Sequence, residues 1–305
     1  MKNSIAIVLF SLFLVQCSTA KKTQDPGQIE DYGEGVVLLD EGVKFAYPHW
    51  SPDGNEILYQ ADSSGSWQLY IAARDGSGIR RISGGVGNNY MADWSPDGAQ
   101  IAFVSDRTGD EEVFVMNADG DNVRNLSNSP ARDIHPYWIA DGSQIFFNST
   151  RDDSEDYLLH IYRMKPDGSE LTRLTTGDNT ETCAHLSPGG DRIVFLKGDV
   201  SANRDDICLR ASDGSGEVKL TDDGDRDGWP SWSPDGSKVV FSTQEWGEFR
   251  LYVINPDGTG RKRLVPGKKG FSDVRAEVAP DGAEVIFNRE KNDSTIAIMI
   301  AKTTE

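Results

Sequence analysis

The stretch Trp94-Ser95-Pro96-Asp97-Gly98, followed by Phe103-Val104-Ser105-Asp106-Arg107-Thr108-Gly109, then Phe114-Val115-Met116-Asn117-Ala118-Asp119-Gly120 and finally Leu126, decides the fold. Its opening pentapeptide recurs at 50–54 and 232–236. Degenerate copies are Trp138-Ile139-Ala140-Asp141-Gly142, Leu186-Ser187-Pro188-Gly189-Gly190 and Val278-Ala279-Pro280-Asp281-Gly282. The six copies are spaced by 44, 44, 48, 46 and 46 residues. Each precedes an apolar run such as Ile101-Ala102-Phe103-Val104, a polar loop, and a second run such as Leu251-Tyr252-Val253-Ile254. An Asp-Gly pair comes next, as in Asp75-Gly76 and Asp213-Gly214, and a last short run ends near Ile82, Leu126, Leu174, Leu220 and Leu264. Proline presets φ at the second turn position, aspartate bonds its own backbone, and glycine takes the left-handed site. Short strands with turn signals every 8 to 12 residues or so mean an all-β sandwich, barrel or propeller. A fixed period of about 45 residues selects the propeller, one four-stranded blade per repeat. The expected fold class is all-β: a six-bladed β-propeller with four antiparallel strands per blade. A length of 305 residues alone would suggest two domains, but repeat folds often make one domain of this size.

This pattern resembles the repeat of TolB-like β-propellers, also found in the propeller domains of prolyl oligopeptidase relatives. The resemblance covers about residues 33–301. It implies the fold and leaves function open, because the repeated residues are turn and core positions. TolB proper carries an α/β domain ahead of its propeller, where this sequence reads as a polar tether, so the TolB role itself is not assigned.

The sixth repeat ends after Ile296-Ala297-Ile298-Met299-Ile300 without an Asp-Gly turn or a fourth strand. An open ring would leave unpaired backbone groups along that edge. Gly33-Glu34-Gly35-Val36-Val37-Leu38 aligns with Gly76-Ser77-Gly78-Ile79-Arg80-Arg81-Ile82, and Leu38 lies 12 residues before Trp50 as Ile82 does before Trp94. Residues 34–39 are therefore expected to supply the outer strand of the last blade.

Ahead of the repeats, Lys2 is the only charge in the first 20 residues, and an apolar run follows from Ile5 through Val15. At about 12 residues it is short for a membrane span and right for a signal-peptide core. It ends in Leu14-Val15-Gln16-Cys17, which resembles the lipobox of bacterial lipoproteins, where the cysteine is acylated and becomes the new N-terminus. Gln16 departs from the small residue usual there, and cleavage after Ser18-Thr19-Ala20 is the alternative. The expected organisation is a signal peptide at 1–16, a lipidated tether at 17–32 and a propeller at 33–305. The expected location is the cell envelope, as an outer-membrane lipoprotein facing the periplasm; the alternative is a soluble periplasmic or secreted protein.

There are 31 basic against 49 acidic side chains, a formal charge of −18. Such a field repels phosphate backbones, which argues against general nucleic-acid binding, so no nucleic-acid partner is expected. It also argues against docking on anionic lipid, leaving the anchor as the expected membrane contact. Three cysteines do not make a disulfide scaffold, and Cys183 and Cys208 fall on the first and third strands of one blade, so two buried, inert free thiols are expected.

The strand before each Trp50-type slot should line the central channel. Two positions before the slot stand Pro48, Ala92, Pro136, Ala184, Pro230 and Ala276, small as crowding near the axis requires. One before stand His49, Asp93, Tyr137, His185, Ser231 and Glu277; three before, Tyr47, Met91, His135, Cys183, Trp229 and Arg275. Varied residues on a repeated scaffold are where specificity is written. The candidate ligand-binding set is His49, Asp93, His135, Tyr137, His185, Trp229, Arg275 and Glu277. His49, His135 and His185 are weak metal candidates, since neutral imidazole binds transition metals and a divalent cation would suit such a channel. They resemble in type the ligands of propeller pectate-oligomer lyases, without close ligand spacing. No cofactor is otherwise expected. Five before the slot stand Phe45, Asn89, Asp133, Glu181, Asp227 and Asp273, whose four acids would form a cation-holding rim if they point inward and otherwise bond turn amides.

No Gly-x-Ser-x-Gly elbow, phosphate loop, His-Glu-x-x-His or dinucleotide fingerprint occurs. No catalytic residue is assigned. The leading expectation is a monomeric, non-catalytic envelope protein whose propeller binds another envelope protein or a cell-wall or glycan ligand. The alternative is a carbohydrate-active enzyme, a lyase or glycosidase working in the channel mouth.

Overall fold

The Ser-Pro-Asp-Gly signature is a turn that bonds itself. In the first copy Ser51 Oγ donates to Asp53 Oδ1 at 2.6 Å and accepts from the Glu56 amide at 2.9 Å, while the Gly54 amide donates to the Ser51 carbonyl at 2.8 Å. Gly54 takes φ 71° there, a conformation that costs a residue with a Cβ and costs glycine little. Ser95–Asp97 and Ser233–Asp235 repeat the arrangement. The Ser233 hydroxyl and the Ser237 amide and hydroxyl hold the Asp235 carboxyl down at about 2.

The computed structural model describes residues 35–38, 43–62, 65–152, 158–175, 179–199, 204–291 and 294–303. Each turn hands the chain to an antiparallel neighbour, giving six four-stranded sheets. Blade 2 is typical, with strands Asn89–Trp94, Gln100–Ser105, Glu112–Asn117 and Arg124–Asn125. The innermost strands, Lys44–Trp50, Asn89–Trp94, Asp133–Trp138, Thr180–Leu186, Asp227–Trp232 and Ser272–Val278, each contact the next, and the sixth contacts the first, closing the ring. The first-to-second and third-to-fourth strand turns therefore lie on one face of the ring. The second-to-third hairpins and the links between blades lie on the other.

Blade 6 takes its outer strand from the other end of the chain. Val36–Leu38 pairs antiparallel with Ser294–Lys302, Val36 opposite Met299 and Leu38 opposite Ile298, and the Ile300 amide donates to the Gly35 carbonyl at 2.7 Å. Leu38 is buried with Ile286 and Ile298 of the last blade. The expected closure is what the ring shows.

The slot tryptophans fill the space between blades. Trp94 packs on Leu58, Leu69 and Ile71 of blade 1, Trp138 on Ala102, Val113 and Val115 of blade 2, and Trp232 on Val194, Ile207 and Leu209 of blade 4. Trp50 meets Ala279, Ile286 and Ile298 of blade 6.

Every innermost strand carries a β-bulge at one place. In blade 3 Ile134 faces Asn148 while Tyr137 faces Phe146, so three steps on one strand match two on the other. The residue three before the slot sits in the left-handed region in all six blades: Tyr47 (φ 53°), Met91 (50°), His135 (52°), Cys183 (52°), Trp229 (50°) and Arg275 (56°). None of these residues gave a sequence signal, since glycine or asparagine is the usual marker of that conformation.

Candidate functional site

The bulge decides which side chains reach the channel. A cavity of about 370 Å³ is lined by residues three, two and one before the slot in the several blades, and by the turn residues Pro52, Ala140, Pro188, Pro234 and Pro280 just after it. The mouth therefore opens on the face that carries the Ser-Pro-Asp-Gly turns. Of the expected ligand-binding set, His49, His135, Tyr137, His185, Trp229, Arg275 and Glu277 line it. Asp93 is buried just behind the wall.

The residues one before the slot stitch neighbouring blades. Glu277 Oε2 accepts from the Trp50 amide at 3.2 Å, Asp93 Oδ2 from the Trp138 amide at 2.7 Å, and Ser231 Oγ donates to the Ala276 carbonyl at 2.8 Å. His49 sits between the two acids, Nδ1 lying 3.1 Å from Glu277 Oε2 and 3.9 Å from Asp93 Oδ1. Burial opposes the imidazolium, but the hydrogen bond and charge of Glu277, helped by Asp93, outweigh it and His49 lies above its ordinary value. Burial pushes the Asp93 carboxyl up to about 7. Across the channel Tyr137 stacks on His185, centroids 4.0 Å apart, and burial holds His185 down at about 3.

Deeper, Tyr47 Oη and His135 Nε2 meet at 3.4 Å, joining blades 1 and 3 across the channel floor. His135 Nδ1 lies 3.2 Å from Thr182 Oγ1, and burial keeps its ring neutral, at about 3. The Arg275 guanidinium is sandwiched between Tyr47 and Trp229, 4.3 and 4.6 Å from their ring centroids, with Nη1 3.2 Å from Glu290 Oε1. Trp229 in turn meets Phe249 edge-on at 5.4 Å. Such aromatic sandwiches stabilise a partly desolvated cation.

The three histidines thus go to different partners: His49 to carboxylates, His135 to hydroxyls and His185 to a ring. Among the described residues no group of three or more His, Cys, Asp or Glu is placed to hold a metal ion. Cys183 and Cys208 are free, as expected. Cys208 is buried, but Cys183 is only half-buried in the cavity wall, its thiol pushed up to about 11 by burial. Cys17, the expected lipidation site, lies outside the described residues.

The residues five before the slot are not in the channel. The bulge adds one residue, so beyond it the strand's faces exchange and this position joins the slot on the inter-blade side. Asp133, Glu181, Asp227 and Asp273 are buried there. Neither the acidic rim nor bonding to turn amides describes three of them. Asp133 pairs with Arg151 at 2.8 Å, Glu181 with Arg210 at 2.7 Å, and Asp273 with Arg289 at 2.7 Å. In blade 5 Arg261 reaches Asp223 instead. Burial then pushes the Asp227 carboxyl up to about 6. Its unfolded value is about 3.9, so the folded state holds the proton more tightly. That preference stabilises fully below about pH 4 and is lost as pH rises through about 6. Asp227→Asn is therefore expected to be more stable than wild type by about 1–3 kcal/mol at pH 8 and equal to it at pH 4. Urea unfolding at the two pH values measures this, and an equal offset at both would contradict it.

Residues 85–271 match the family model described as the TolB beta propeller domain. The Tol-Pal system protein TolB of Gluconobacter oxydans is 40% identical over 63 residues, 21% of this chain and 13% of that protein. The chain thus matches about an eighth of that relative's length. Among solved structures, TolB from Acinetobacter baumannii superposes with TM-score 0.62 at 23% identity, over 71% of this chain and 53% of that one. An oligogalacturonate lyase solved in complex with manganese superposes with TM-score 0.60 at 14% identity, over 86% and 91%. At these identities the likeness is one of fold.

Proposed function

This chain belongs to the TolB beta propeller domain family, and on that premise we propose that it is an exported, lipid-anchored scaffold of the cell envelope whose channel mouth binds another envelope protein. The carrying observation is the cavity itself. Its wall repeats one backbone six times but sets Tyr47, Tyr137, Trp229 and Arg275 on it, the aromatic and arginine types that dominate binding energy at interfaces. No hydrolase, phosphate or dinucleotide motif accompanies them. The signal-peptide core, Cys17 and the polar stretch after it support export and acylation, and two or more acyl chains suffice for stable anchoring.

A benzophenone photo-crosslinker in place of Tyr137, against one in place of Val123, an exposed residue in the turn between the third and fourth strands of blade 2 and outside the cavity, tests this in cells. The mouth position is expected to yield one discrete adduct with an envelope protein, reduced about tenfold or more by Trp229→Ala. In a Cys17→Ser background the chain is expected to lose its fatty-acid label and leave the membrane fraction. Equal adducts from both positions would remove the mouth, and a labelled Cys17→Ser chain would remove the anchor.

One observation favours a second reading, a carbohydrate-active enzyme. Asp93, buried just behind the cavity wall, is lifted to about 7 beside His49, which lines the cavity, and groups that titrate near neutrality at a cavity suit acid–base work. Cleavage of acidic oligosaccharides by the purified chain would decide for it.

A further inference from the structure

The channel mouth is ringed by charge of one sign. Each blade sets one aspartate in the turn between its first and second strands: Asp53, Asp97, Asp141, Asp191, Asp235 and Asp281, all six exposed. Pro52, Ala140, Pro234 and Pro280, which precede four of them, line the cavity, so the aspartates form a collar just outside it. Arg74 lies 3.6 Å from Asp281 and Arg192 lies 3.5 Å from Asp191. The other four bond to serines and amides of their own turns and form no ion pair with a described residue. Hydrogen bonds from those serines hold Asp53, Asp97 and Asp141 below the usual carboxylate range, so their charge is present at neutral pH.

The wall inside the collar is poor in backbone donors. Seven of its residues are prolines, each keeping a carbonyl and lacking an N–H. Arg275 is the one lysine or arginine among the described residues that line it, and Glu290, Tyr47 and Trp229 already hold its guanidinium. Burial keeps the His135 and His185 rings uncharged, and His49 is answered by Glu277. Glu277 is the acid on this wall, its side chain 32% exposed. Its Oε2 meets the Trp50 amide and His49 Nδ1, whereas its Oε1 accepts from no described residue. Burial, then the charges of Asp93 and Glu277, raise the Tyr137 hydroxyl, which places that ring beside both carboxylates. A carboxylate oxygen with no donor and an aromatic ring next to it together suit a cation.

We propose that the envelope protein seated in the mouth enters with a lysine or arginine, whose cationic group meets Glu277 Oε1 while the collar of turn aspartates faces the basic surface around it. This rests on the channel-mouth reading above and adds the chemistry of the partner. An acidic segment would meet like charge at the collar and find no free base inside. At physiological ionic strength charges are screened over about 8 Å, so the collar acts close to contact, on the speed and orientation of docking. Glu277 acts on the seated side chain, where water is partly excluded and a charge pair is worth more.

The test is the Tyr137 photo-crosslink in the full chain, with the adducted segment sequenced by mass spectrometry after chymotryptic digestion, which leaves lysine and arginine sites uncut. That segment is expected to carry a lysine or arginine, and its exchange for glutamine in the partner is expected to lower the adduct about tenfold. Glu277→Gln, which keeps an oxygen for the Trp50 amide, is expected to lower it about as much, with the thermal midpoint of the purified chain unchanged. Asp97→Asn with Asp141→Asn changes two exposed sites whose side chains still accept the turn bonds. In washed envelopes this pair is expected to lower the adduct about threefold at low salt and to leave it unchanged at high salt. A segment without a base, or a discrete adduct indifferent to Glu277→Gln or to salt, would overturn the proposal and leave the channel-mouth reading standing. No discrete adduct at all would remove both.

Discussion

A chain beginning at Glu41 is expected to melt about 10 °C or more below the same chain carrying residues 33–40. The deletion removes the Val36–Leu38 strand and with it the buried Leu38, whose loss alone falls in the range of about 2–5 kcal/mol for large-to-small core changes. For a domain of this size each kcal/mol moves the midpoint by roughly 2–4 °C. It also bares the strand Ser294–Lys302 as a free edge, so the shortened chain is expected to self-associate. Scanning calorimetry with light scattering checks both effects. Identical midpoints would mean that the outer strand contributes nothing to closure.

Arg289→Met is expected to cost about 3–5 kcal/mol, the range for removing one partner of a buried ion pair. Asp273 is wholly buried, and Arg289 Nε and Nη2 reach its two carboxylate oxygens at 2.7 and 3.0 Å. Without the guanidinium, that carboxylate loses its ion-pair partner inside the inter-blade seam. Adding Asp273→Asn on the Arg289→Met background is expected to recover most of the loss, because a neutral pair of similar volume no longer buries a charge. Urea midpoints of the single and double variants form the cycle that measures it. A double variant as unstable as the single would show that packing, not charge, carries the effect.

The ring was legible because its determinants are local. Trp-Ser-Pro-Asp-Gly states a turn, alternating runs such as Phe114-Val115-Met116 state strands, and the spacing states their repetition. Closure by Val36–Leu38 was legible because one repeat lacked what the other end supplied. The layers at one and three residues before the slot were also legible, since period-two counting holds up to the bulge. Beyond it the count slips by one, and Asp133, Glu181, Asp227 and Asp273 change faces. Nothing in Met91 or Cys183 announces a left-handed backbone, so the slip had no local sign. The arginines that answer three of those acids come from other strands or hairpins of the same blade, 16 to 29 residues on, and pairing at that range is set by register.

The six left-handed residues on the channel floor have a consequence for change. Their backbone strain falls on almost any residue with a Cβ, so exchanging one such side chain for another leaves that cost nearly constant. Glycine would escape it, yet Tyr47, Met91, His135, Cys183, Trp229 and Arg275 all keep side chains. The floor is thus a set of interchangeable sockets, one per blade, where substitutions alter what is recognised while the ring that holds them stays the same.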